Sequence, residues 1–172
     1  MKKSNLFLLG MMLAVLAFGM TVTGCGLLTN VVTSEAVHSF NEARGIKSAS
    51  DAISKKLVAA LPKGVGIAVL SIQSSDPQES SYVISELEYA LVNSGQFQVA
   101  NRSSVDAVMK EQNFQLSGNV SDSEAVSIGR MAGVSIVITG NVNKTSTTNT
   151  LAVRAIDVQT GNILFMERDT FR

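Results

Sequence analysis

Along residues 48–172 the spacing of apolar positions changes several times, and each change marks an element. Ala52, Ile53, Leu57, Ala60 and Leu61 recur at helical spacing while Lys55 and Lys56 face away, so Ser48 or Ser50 is expected to cap a helix running through Ala60. Pro62, Lys63 and Gly64 end it. Residues 65–72 (VGIAVLSI) are short and almost continuously apolar, the pattern of a strand covered on both faces. Turn chemistry at 74–77 hands over to a helix at about 78–94. Its buried stripe is Val83, Ile84, Leu87, Ala90 and Leu91, and Gly95 stands where a left-handed C-cap belongs. Residues 97–100 (FQVA) read as a second strand.

Residues 101–104 (NRSS) open another helix with Val105, Val108 and Met109 inward, and residues 113–118 (NFQLSG) break it. Ser121 and Glu124 form a capping box in which each side chain satisfies an orphan amide of the other's residue. The helix it starts buries Ala125, Ile128 and Met131 or Ala132 and stops at Gly133. A third strand is predicted at 134–142. Two more, at 150–158 and 162–171, are joined by a tight hairpin with Gly161 at the position needing positive φ. The order α–β–α–β–α–α–β–β–β predicts an α/β (mixed α+β) fold: a mixed sheet with helices packed on it and antiparallel strands at the C-terminus.

Upstream the pattern loosens. Residues 35–44 include Ala36, His38, Phe40 and Ala43 but no clean apolar stripe, and read as helix or linker; residues 26–34 (GLLTNVVTS) read as a short tether. Before them stand Lys2 and Lys3, an apolar run at 6–20 and the chain's single cysteine, Cys25. As a helix that run would extend roughly 22 Å at about 1.5 Å per residue, short of the ~30 Å hydrocarbon core, which points to an export signal rather than a span. Val22-Thr23-Gly24-Cys25 resembles the lipobox of bacterial lipoproteins. That resemblance implies a diacylglycerol on the Cys25 thiol, cleavage before Cys25 and acylation of the new amine. One acyl chain holds only marginally, at about 0.8 kcal/mol per buried methylene, and two or three hold durably. The expected organisation is a lipoprotein signal peptide at 1–24, a lipidated N-terminus and tether at 25–47, and one domain at 48–172.

Charge and composition narrow the function. The chain has 14 basic and 14 acidic residues; removal of residues 1–24 takes Lys2 and Lys3 and no acid, for a net charge near −2. Without a basic block, without Trp and with 5% aromatic residues, it lacks the footprint and stacking platforms of a nucleic-acid binder. There is no Walker-type loop, no G-x-G-x-x-G after a strand, no H-E-x-x-H and no cysteine pair. His38, the sole histidine, has no neighbouring cysteine or paired carboxylate. Gly64 and Gly66 precede the first strand, the wrong side for a phosphate cradle. Glu86 and Glu88 diverge on their helix, Glu124 is a cap, and Ser117 lacks the G-x-S-x-G elbow. No catalytic, cofactor or metal site is expected, and Cys25, for lipidation, is the one candidate site residue.

Four blocks carry a wider resemblance: PKGVGIAVLSI at 62–72, LVNSGQFQVANRSSVDAVMKEQNFQLSG at 91–118, IGRMAGVSIVITGNV at 128–142 and DVQTGNI at 157–163. They resemble the CsgG-like and LpoB-like envelope lipoproteins, the families of the curli secretion channel and of the outer-membrane activator of a class A penicillin-binding protein. The resemblance implies a non-enzymatic protein held by acyl chains on Cys25, at the outer membrane facing the periplasm, that binds and regulates or scaffolds an envelope protein such as a penicillin-binding protein. The alternative is a subunit of a CsgG-like secretion or assembly complex, a homo-oligomer. A CsgG-type pore needs transmembrane hairpins with strands of roughly 9 to 11 residues. The stretch between the third and fourth predicted strands is too short and too rich in Ser, Thr and Asn to supply them. LpoB-type activators use a long flexible tether, and the lead from Cys25 to Ser48 would reach at most about 80 Å at ~3.4 Å per residue.

Overall fold

A computed structural model describes the backbone of residues 25–111 and 120–172, and side chains from Glu42 onward. The expected signal peptide at 1–24 and the helix break at 113–118 lie outside the described residues. The chain divides into two compact units, residues 1–40 and 41–172. Of the first, the helical backbone of residues 25–40 is described; the second holds the sheet.

In chain order the elements are α1 (Cys25–Ala60), β1 (Gly66–Gln73), α2 (Pro77–Asn93), β2 (Gln98–Val99), α3 (Arg102–Glu111), α4 (Asp122–Met131), β3 (Ile136–Lys144), β4 (Asn149–Asp157) and β5 (Ile163–Phe171). The strands form one sheet in the order β2-β1-β3-β4-β5. β1 pairs parallel with β2 and β3, whereas β3, β4 and β5 run antiparallel. This is the mixed α+β architecture expected from the order of elements.

The start of the first helix is corrected. Expected at Ser48 or Ser50, it begins at Cys25, so that residues 35–44, read as helix or linker, are helical. The reason is tertiary. Ile46 and Ala49 are buried in the core, and at Gly45 an added Cβ would stand 2.8 Å from the Arg172 carbonyl oxygen and 3.0 Å from Phe171 Cδ2. Glycine, a helix weakener in isolation, is what lets the helix pass the last residues of β5.

Two apolar layers sandwich the sheet. On one face Ile46, Ile53 and Leu57 of α1 and Val83, Leu87 and Leu91 of α2 pack on Ile67, Val69 and Ile72 of β1, Ile136 and Ile138 of β3, and Leu151, Val153 and Ala155 of β4. On the other, Val105 and Met109 of α3 and Ala125 and Ile128 of α4 cover Ala68 and Leu70 of β1, Val137 of β3, and Ile156. β1 is therefore buried on both sides, as its unbroken apolar run predicts. The helix ends follow their local chemistry. Asp76 caps α2 by accepting the Gln78 amide at 2.8 Å, and Ser121 and Glu124 form the expected capping box of α4. Gly95 and Gly161 adopt positive φ at the two turns expected to need it.

Candidate functional site: the bare face of the antiparallel strands

The helices do not cover the second face completely. α3 and α4 stop over β1 and the near ends of β3 and β4, and side chains alternate across the pleat, so the register identifies what lies beyond them. Thr139, Asn141 and Asn143 of β3 pair with Arg154, Ala152 and Thr150 of β4, which in turn pair with Met166, Arg168 and Thr170 of β5. None of these positions carries a carboxylate. All but Thr139 and Thr170 line one or both of two adjoining depressions of about 630 and 230 Å³ that share Asn141, Ala152 and Met166; Glu167 also lines the larger. Ala152 is the floor, because a small residue there leaves room between Asn141 and Arg168.

Arg154 forms the rim nearest the helices. Its Nε–H donates to the Thr139 hydroxyl at 3.0 Å, and its Nη2 lies 2.7 Å from Asp122 Oδ1 in the first turn of α4. This tie fixes α4 at the boundary between covered and bare sheet. Arg168, farther out, makes no ion pair among the described residues and is exposed. Met166 is 68% exposed, with Leu164 and Ile163 exposed beside it. A thioether and a guanidinium without an ion pair among the described residues, on a strand face whose outward register positions carry no carboxylate, suit an acidic, partly apolar protein partner.

The opposite face is closed by charge as well as by packing. Lys144, at the end of β3, reaches Glu42 of α1 at 3.0 Å and Glu79 of α2 at 3.2 Å, and the Ser74 hydroxyl donates to Glu79 at 2.5 Å. Burial lowers the Lys144 pKa, but hydrogen bonds to the two carboxylates outweigh it and the ammonium titrates above its ordinary value. At the other sheet edge, the Arg102 guanidinium donates from Nη1 to the carbonyls of Val69 at 2.8 Å and Leu70 at 3.1 Å, where the β1–β3 register shifts, while Nη2 holds Asp106 at 2.6 Å. Burial raises the pKa of Glu88 beside this cluster; Arg102 opposes the shift and Asp106 adds to it.

The residues singled out from sequence fall as follows. Cys25 is the first residue of α1, and His38 lies within the same helix. Glu86 pairs with Lys47 at 3.3 Å, whereas Glu88 faces Arg102 and Asp106, so the two diverge as expected. Hydrogen bonds from the Ser121 side chain and backbone hold the Glu124 carboxyl below its usual range, which fits its role as a cap. Gly64 adopts φ 78° before β1, in keeping with a turn. Among the described residues no cluster of His, Cys, Asp and Glu could hold a metal, and no helix is long and apolar enough to cross a membrane. The bare face itself was missed. Its signal was the alternation in β4, where Leu151, Val153 and Ala155 point one way and Thr150, Ala152 and Arg154 the other.

A five-stranded mixed sheet with helices on both faces is the fold of the LpoB C-terminal domains. That of Salmonella enterica superposes with a TM-score of 0.62 at 18% identity, covering 74% of this chain and 98% of that one. The Escherichia coli domain gives 0.61 at 18% identity over 74% and 98%. The NMR structure of E. coli LpoB gives 0.62 at 18% identity, over 73% of this chain and 66% of that one. No curated protein matches the chain in sequence. The sequence model for the peptidoglycan-synthase activator LpoB matches residues 47–171, and the chain belongs to that family. The match falls on the LpoB side of the two resemblances, not on the CsgG side.

Proposed function

We propose that this chain is a lipid-anchored, non-catalytic activator that docks a peptidoglycan synthase, a penicillin-binding protein, through the bare face of β3, β4 and β5. The observation that carries this reading is the uncovered sheet surface itself. It presents Met166 and Arg168, which makes no ion pair among the described residues, on the face opposite the side to which Glu167 and Asp169 alternate, in a chain whose family is that of a synthase activator. Function by contact needs an exposed, structurally fixed surface, and the Arg154–Asp122 tie and the double-sided burial of β1 hold this one in place. Acylation of Cys25 supplies the anchor and holds the domain at the outer membrane on its periplasmic side.

The test is binding and activation measured together. Arg168→Glu reverses the free charge at an exposed position and should weaken association with the cognate penicillin-binding protein about tenfold or more, with loss of stimulated glycan synthesis and an unchanged melting temperature. Full binding and stimulation by that variant would refute the placement of the contact. Cys25→Ser should leave purified-component activation intact and abolish it in cells, with the protein released from the membrane fraction.

A further inference from the structure

The free edge of β5 offers main-chain as well as side-chain groups to the same partner. The Asp157 N–H donates to the Asn162 carbonyl at 2.9 Å, and the Val158 N–H donates to the Ser135 carbonyl at 2.9 Å. Main-chain groups alternate sides along an antiparallel strand, so odd-numbered residues of β4 bond toward β5 and even-numbered ones toward β3. The β5 partners of the odd residues Leu151, Val153 and Ala155 are Asp169, Glu167 and Phe165. The N–H and C=O groups of Met166 and Arg168 therefore point away from β4, toward an edge that no described strand covers; at Thr170, on the same side, the N–H donates to Asp169 Oδ1 at 2.8 Å. These residues also place their side chains on the bare face.

Natural sheets blunt such edges with proline, lysine, bulges or short strands. β5 is nine residues long, contains neither proline nor lysine, and has its register shift at its beginning, opposite Ala155 and Ile156. We infer that β5 accepts an added strand, an extended segment of the synthase that hydrogen-bonds to Met166 and Arg168. The inference rests on the proposed docking function and specifies how docking occurs. The segment places an apolar side chain beside Met166 and an acidic one, two residues along on the same face, beside Arg168. A second copy of this chain fits less well. Full overlap of two β5 strands pairs antiparallel about Glu167, which sets two like charges opposite each other.

Amide exchange on the mature chain, alone and with the purified cognate penicillin-binding protein, tests this directly. The Met166 and Arg168 amides should exchange freely in the isolated chain and at least about tenfold more slowly in the complex. Met166→Pro, which deletes one outward N–H and leaves the β4 ladder intact, should bind about tenfold more weakly than Met166→Ala, which loses the same side chain and keeps the N–H. Arg168→Pro, compared with Arg168→Ala, serves as a second deletion of the same kind. A complex that forms while these amides stay unprotected and both proline variants bind normally would overturn strand addition but leave docking standing. Concentration-dependent protection without the synthase would assign the edge to a second copy and overturn it as well. Failure of the parent chain to bind would overturn the docking function itself.

Discussion

β1 and β5 lie in one sheet and are nearly equal in length, yet they are built on opposite rules. β1 is buried from Ile67 to Ile72, with helices on both faces, and its bulged carbonyls are capped by Arg102. β5 alternates between exposed and half-buried residues up to the buried Phe171, with α1 on one face and, among the described residues, no helix on the other and an open outer edge. A strand that serves only to hold the fold can be covered everywhere. A strand used for contact must keep a face or an edge bare and rely on its neighbours for rigidity. The contrast implies that substitutions near β1 act on stability and those on β5 act on binding.

The largest expected effect lies on the covered side. Leu87, fully buried in α2 against β1, should cost about 3 kcal/mol in urea unfolding when changed to Ala. Met166→Ala should stay within about 0.5 kcal/mol while weakening synthase binding. A stability loss at Met166 comparable to that at Leu87 would erase the distinction between the strands. Next comes Gly140 of β3, where an added Cβ would come within 2.7 Å of Ile72 Cδ1 and closer still to the Ala152 carbonyl. Gly140→Ala should destabilise by about 2 kcal/mol. It should also disturb the floor of the bare face, so this variant alone is expected to lose both stability and binding.

Lys144→Met removes the partner of the nearly buried Glu79 and should destabilise by about 1–2 kcal/mol in the same assay. The Lys144 contribution is fully present below its ordinary pKa of 10.5 and is lost as pH rises through the raised folded value. The smallest effect is at Glu88. Its folded pKa is raised above 4.5, so the folded state holds its proton more tightly than the unfolded chain does. The Glu88 contribution to stability is then fully present below about pH 4.5 and is lost as pH rises through the folded value. Glu88→Gln should raise the melting temperature at neutral pH and leave it unchanged below that range.

Most of the architecture could be read from residue spacing because it was local. The stripe Val83, Leu87 and Leu91, the cap Ser121–Glu124 and the turn glycines Gly95 and Gly161 each carry their own signal over a few residues. What spacing could not reveal depended on contacts distant in sequence. α1 extends past Gly45 because Phe171 and Arg172 lie against it, and no window around Gly45 contains them. The bare face is likewise a property of register: Asn141, Ala152 and Arg168 are far apart in the chain and become neighbours only once β3, β4 and β5 pair. Arg168 reads on its own as one charge in a Glu-Arg-Asp run.

The central claim, that the synthase meets the bare strand face, is tested most directly by site-specific photo-crosslinking in intact cells. A photoreactive residue placed at Met166 should capture a penicillin-binding protein, whereas one at Tyr89 on α2, 70% exposed and so equally available, should not. Capture from Tyr89 with none from Met166 would contradict the account.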